Sequence, residues 1–141
     1  MTKTLACAVF FILTGCASGV IVPESGRSIE DIDHAILAIT GDPRKISGSK
    51  REITSAYFSR RKEPHFDPQK AKERLYAVFT ILGDRRPYDI EVQVFSETLE
   101  DGEYQDQGLD NAFTEEIARE LKQQLARQPI DRDFIDDFRA F

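Results

Sequence analysis

The sequence predicts an α+β domain: an antiparallel sheet of about three strands packed against two amphipathic helices. Three observations predict it. Ile29, Ile32, Ile36 and Ile39 recur at helical spacing early in the chain, and Phe113, Ile117, Leu121 and Leu125 do so near its end. Between them, residues 88–98 alternate strictly, with Ile90, Val92 and Val94 on one side and Asp89, Glu91, Gln93 and Glu97 on the other. Two helices covering one face of a sheet bury all of these apolar positions at once.

Taken in order, residues 16–27 read as a tether, with a short edge strand at 20–22 as the alternative. Ser28 is placed to cap the first helix, with Glu30 and Asp31 in the first turn where the helix dipole favours acids. Gly41 and Pro43 stop it. Residues 44–50 are a polar, glycine-containing turn region, and 53–58 is a short strand rich in β-branched and aromatic residues. Residues 68–82 fit either one helix or a helical turn followed by a strand over 75–82. The strand is preferred because Tyr, Val, Phe, Thr and Ile dominate, and the alternating strand across the 83–87 loop needs a partner. Residues 99–108 read as an acidic loop, and 110–128 as the second helix, ended by Pro129. The open sheet face, with Glu91, Gln93 and Glu97, is expected to be wet.

The 141 residues suffice for one domain. Nineteen bases against 25 acids give a net charge of −6, which excludes a generally basic nucleic-acid binder. Two cysteines and two histidines exclude a disulfide scaffold, a multi-cysteine zinc fold and a His-rich metal cluster. No cofactor is implied.

The N-terminus is the most specific segment. Lys3 precedes nine uncharged apolar residues, 5–13, which suit a signal peptide and fall short of the about 20 needed to span a bilayer. The run ends in Leu13-Thr14-Gly15-Cys16. This resembles the lipobox of bacterial lipoproteins at every position: Leu, then a small residue, then Gly or Ala, then Cys. The resemblance implies cleavage before Cys16, a diacylglyceryl group on its thiol and an acyl chain, such as palmitate, on its amine. Three chains anchor firmly where one gives only marginal binding. Ala17 rather than Asp implies sorting to the outer membrane, facing the periplasm. The organisation read from the sequence is therefore a signal peptide at 1–15, a lipidated tether at 16–27, a domain at 28–128 and an amphipathic C-terminal segment at 129–141. Cleavage removes Lys3 and no acid, so 126 residues remain with a net charge of −7 and no thiol beyond the lipidated one.

Catalytic patterns do not stand out. His34 lies in the first helix and His65 in a turn-rich linker, with no nucleophile elbow and no glycine-rich phosphate loop. The acids near 100–110 and 131–137 lack the alternation of a calcium loop and read as solvated surface, so neither a metal site nor an enzyme is expected.

Charge is unevenly spread. Residues 42–87 hold twelve bases and six acids, whereas 88–141 hold five bases and fifteen acids. Arg60, Arg61, Lys62, Arg85 and Arg86 form either a contact for lipid headgroups or an acidic partner, or one side of a fold in which the two halves neutralise each other. The second option is favoured. Phe134, Phe138 and Phe141 form either a docking strip or an addition to the core, with packing back preferred. Two functions follow: a non-catalytic accessory lipoprotein that binds another envelope component, or a periplasmic carrier or sensor of a small or lipidic ligand. An apolar cavity among Tyr57, Tyr76, Phe79 and Tyr88 would favour the carrier.

Overall fold

The structure, a computed structural model, describes residues 18–128. Cys16 and the C-terminal Phe134, Phe138 and Phe141 lie outside them. The element order is β1 (Val20–Ser25), α1 (Ile29–Thr40), β2 (Lys45–Ile46), β3 (Glu52–Thr54), β4 (Glu73–Leu82), β5 (Tyr88–Glu100), β6 (Glu103–Leu109) and α2 (Asn111–Arg127). The fold is α+β with two helices and an antiparallel sheet, as the sequence predicts, but the sheet has six strands rather than about three.

Both helices begin where their caps demand. The Ser28 hydroxyl accepts the Asp31 N–H at 3.1 Å while the Asp31 carboxylate accepts the Ser28 N–H at 3.3 Å, a reciprocal capping box. Gly41, at φ 72°, ends α1 in a conformation that a side chain would strain. Asp110 caps α2 through the Phe113 N–H at 3.1 Å.

The long hairpin β4–β5 is the spine, in continuous register from Glu73↔Thr98 to Leu82↔Asp89. Residues 75–82 are therefore strand, and the single helix over 68–82 is excluded. On the far side of β4 lies β3, and β2 follows it. The free edge of β5 is shared. Its first half pairs with β1 (Val20↔Val92), and its second half pairs with β6 (Phe95↔Leu109). At the junction the Val94 N–H donates to Thr114 Oγ1 at 2.9 Å, and its carbonyl accepts the Asp110 N–H at 2.7 Å. The first turn of α2 thus supplies the hydrogen bonds that neither edge strand reaches.

The three additional strands correct the sequence reading, each for a physical reason. β1 occupies half of the expected tether and extends the edge strand weighed at 20–22, and its Pro23 is tolerated because an edge strand leaves one row of N–H groups unpaired. The two-residue β2 is too short to show a period. β6 lies within the expected acidic loop. As an edge strand it carries polar residues on both sides, so no alternation marks it. Asp101 and Gly102, at φ 49° and 86°, make the tight turn that leads into it.

One sheet face and the two helices enclose the core. Leu75, Ala77, Phe79 and Ile81 from β4 and Ile90, Val92 and Val94 from β5 meet Ile32 and Ile36 of α1 and Ile117, Leu121 and Leu125 of α2. Each large side chain buried there contributes about 1.5–3 kcal/mol.

Candidate functional site

The most organised polar surface among the described residues lies on the opposite, open face. Its origin is a bulge. β3 was expected to run to Phe58, but regular pairing stops at Thr54↔Val78 and resumes at the single bridge Phe58↔Leu75, with one residue extra on the first strand. Ser55 fills the gap, donating its N–H to the Ala77 carbonyl and accepting the Ala77 N–H on its hydroxyl, both at 2.9 Å. The extra residue turns Phe58 toward the core and Tyr57 onto the open face.

There Tyr57 meets two arginines. The Arg44 guanidinium lies 3.7 Å from its ring centroid on one side, and that of Arg74 lies 3.9 Å away. Arg74 also stacks on Tyr104 at 3.4 Å. Tyr76 meets Tyr57 edge-on at 5.8 Å and stacks on its cross-strand partner Phe95 at 5.5 Å. Arg74 Nε donates to Glu97 at 2.6 Å, with both side chains more than four-fifths buried. The Tyr104 hydroxyl reaches the carbonyls of Pro68 and Ala71 at 2.7 Å each, fastening the 64–72 loop beside the cluster. Burial, with Asp106 and Glu97 nearby, raises the Tyr76 phenol above its ordinary value, so it stays a neutral donor. Far from being wholly wet, this face carries a second packed layer of cations and rings. Glu97, expected in solvent, is one of its ion-pair partners.

Arg44 differs from Arg74. Its Nε donates to the Ser55 carbonyl at 3.0 Å, its plane is held by Tyr57, and among the described residues no carboxylate pairs with it. The sequence reading did not single out Arg44, Arg74 or Tyr104. Counting back from a closed 83–87 loop pairs Leu82 with Tyr88 and so places Arg74 opposite Ser96, one residue off the observed Arg74↔Glu97, and the pair was therefore not legible from the loop.

The five predicted basic contacts do not form one patch. Arg60 binds Glu73 through two nitrogens, at 2.9 and 2.6 Å, and Asp110 at 2.8 Å. Burial would raise the Asp110 carboxyl, but its bonds from the Phe113 N–H and Arg60 outweigh this and hold it below the usual range. Lys62 bridges Glu116 at 3.1 Å and Glu120 at 2.5 Å on α2, which raises its ammonium despite burial. Arg61 is exposed and carries no ion pair among the described residues. Arg85 and Arg86 follow the opposite end of the ten-residue β4, about 30 Å from Arg60. The two sequence halves neutralise each other across the fold, through Arg60–Asp110, Lys62–Glu116, Lys62–Glu120 and Arg74–Glu97.

The four aromatics considered for a ligand cavity also separate. Phe79 is fully buried in the core, Tyr57 and Tyr76 belong to the open face, and Tyr88 packs at the far end of β5. A cavity of about 220 Å³ lies between α1 and the β2–β3 hairpin, lined by Asp33, His34, Leu37, Ile46, Lys50 and Ile53. In it Asp33 Oδ1 is buried without a hydrogen-bond partner, and burial raises this carboxyl above its usual value. Both histidines are exposed. Among the described residues no group of His, Cys, Asp and Glu is arranged to hold a metal ion. The arrangement is suited to holding a surface in shape and presenting it. No family model, curated protein or solved structure matches the chain.

Proposed function

We propose that the chain is a non-catalytic lipoprotein, attached through Cys16 to the outer membrane of a bacterium on its periplasmic side. Its α+β domain serves there as an accessory or interaction module of an envelope assembly or transport machine. The observation that carries this is Leu13-Thr14-Gly15-Cys16 placed directly behind nine apolar residues and Lys3. Among the described residues no helix is long and apolar enough to cross a membrane, so attachment is assigned to the cysteine. Tyr57 and Tyr76 share the open face, whereas Phe79 is buried in the core and Tyr88 packs at the other end of the hairpin, so the four line no common cavity, which favours an interaction module over a carrier.

Cys16→Ser tests the anchor. The variant is expected to fold and to appear in the soluble periplasmic fraction. A variant that still sediments with membranes as a monomer would refute it. Crosslinking of the lipidated protein in the native envelope then separates the two readings: a discrete protein adduct supports the module, and a co-purifying small lipid without one supports the carrier.

A further inference from the structure

We infer that the open sheet face lies against phospholipid headgroups, with the helical layer turned away from the bilayer. The inference rests on lipidation of Cys16 and adds the orientation that such an anchor imposes.

Only residues 17–19 separate Cys16 from the first residue of β1. Four Cα steps span at most about 14 Å, so the domain cannot swing free of the surface its anchor enters. Gly19 lies where the tether meets the sheet. A Cβ there would stand 2.6 Å from Gln93 Cγ and 3.0 Å from Glu91 Cγ, both side chains of the open face, and 2.5 Å from the Val92 carbonyl oxygen. Position 19, like Ile21, therefore belongs to the open face, and the tether joins the domain at the edge strand beside that face.

The surface reached there suits the headgroup zone. Of the three large apolar residues exposed among the described ones, two are on this face: Ile21, 45% exposed and two residues from Gly19, and Leu82, 38% exposed. Half-buried Tyr76 and Phe95 lie on the same face, the kind of rings that sit well where water meets hydrocarbon. Arg44, which pairs with no carboxylate among the described residues, holds its guanidinium against the Tyr57 and Tyr76 rings, able to bond a lipid phosphate. Arg44, Lys45 and Arg74 stand against Glu52, Asp89, Glu91, Glu97 and Asp106. That acidic excess gives no attraction to an anionic surface, so the fitting headgroups are zwitterionic. The anchor and the apolar contacts, rather than net charge, hold the face down.

The chain has no tryptophan, so single reporters are readable. Full-length lipidated protein carrying Phe95→Trp, or Ile21→Trp where the stacked ring is sensitive, is reconstituted in phosphatidylcholine vesicles containing a headgroup nitroxide lipid. Gln123→Trp, exposed on α2, reports the far side. The open-face reporters are expected to lose most of their emission and Gln123→Trp little. Equal quenching at both sites, or stronger quenching on α2, in protein that sediments with the vesicles would overturn the orientation while leaving the anchor intact. Acylated protein that does not sediment would instead overturn the anchor reading, and the orientation with it.

Discussion

Replacing Arg74 by methionine keeps an apolar stem and deletes the guanidinium. Arg74 is 9% exposed, between the Tyr57 and Tyr104 rings and against Glu97 at 2.6 Å. Two partly desolvated cation–π contacts contribute about 1 kcal/mol each. Leaving the largely buried Glu97 carboxylate unmatched costs about 1–3 kcal/mol more. The expected loss is about 3–5 kcal/mol, a large share of the about 5–15 kcal/mol that holds a domain of this size. Urea unfolding followed by far-UV circular dichroism measures it. Arg74→Lys keeps the charge but not the flat fork and should fall between the two. Adding Glu97→Gln to Arg74→Met should recover part of the loss, because the unmatched acid is gone. A cost for Arg74→Met below about 1 kcal/mol would show that the open-face cluster is ornament and contributes little to the fold.

Val92→Asp places a charge among fully buried apolar groups and should cost several kcal/mol, whereas Gln93→Asp, one residue along on the open face, should cost under about 1 kcal/mol. Urea midpoints decide it, and equal effects would mean the strand phase is wrong. Arg60→Ala removes a two-nitrogen ion pair and the contact with Asp110, an expected loss of about 1–2 kcal/mol, while Arg61→Ala should stay within about 0.5 kcal/mol. Matching losses at the two positions would contradict a structural role for Arg60. Asp33 has a folded pKa above its unfolded one, so its ionised form weighs against the fold at neutral pH, and that cost vanishes as pH falls through the folded value. Asp33→Asn is expected to raise stability by about 0.5–1 kcal/mol at pH 7 and by less at pH 3. Asp110 acts with the opposite sign: its folded pKa is depressed, so its contribution is present above the ordinary carboxylate value and fades as pH falls below it. Asp110→Asn should therefore lower the midpoint at pH 7 more than at pH 3, and a pH-independent loss would refute the assignment.

Both helices and the β4–β5 hairpin were legible because their patterns are forced by burial. An apolar stripe at 3.6-residue spacing or a clean alternation records one face against a core, and Ser28, Gly41 and Asp110 mark ends with specific hydrogen-bonding and backbone needs. β6 was hidden because both faces of Glu103–Leu109 are polar, yet Asp101-Gly102 carried the turn chemistry that predicts it. Tyr57 was hidden for a different reason. Its face is set by one extra residue at the bulge, and simple alternation from Ile53 places it on the wrong side. Arg74 and Glu97 were separately visible as charges in strands, but only the register of the closed hairpin makes them a pair.

The same geometry explains why a cluster of bases in sequence does not become a basic surface. Antiparallel strands and returning helices bring together residues far apart in the chain, so Arg60 meets Asp110 and Lys62 meets Glu120. Their charge is matched within the domain before any partner arrives. Arg61 and Arg85 remain without ion pairs among the described residues, near opposite ends of β4 and about 30 Å apart. One headgroup or one short acidic peptide cannot bridge that distance. On the proposed reading, in which the open face meets the bilayer, a protein partner would be left the exposed sides of α1 and α2, where Glu30, Glu115, Arg119 and Lys122 present charges of both signs. Such a surface selects by complementary pattern rather than by net attraction, so association with that partner should weaken with salt and should survive neutralising Arg61 and Arg85 together.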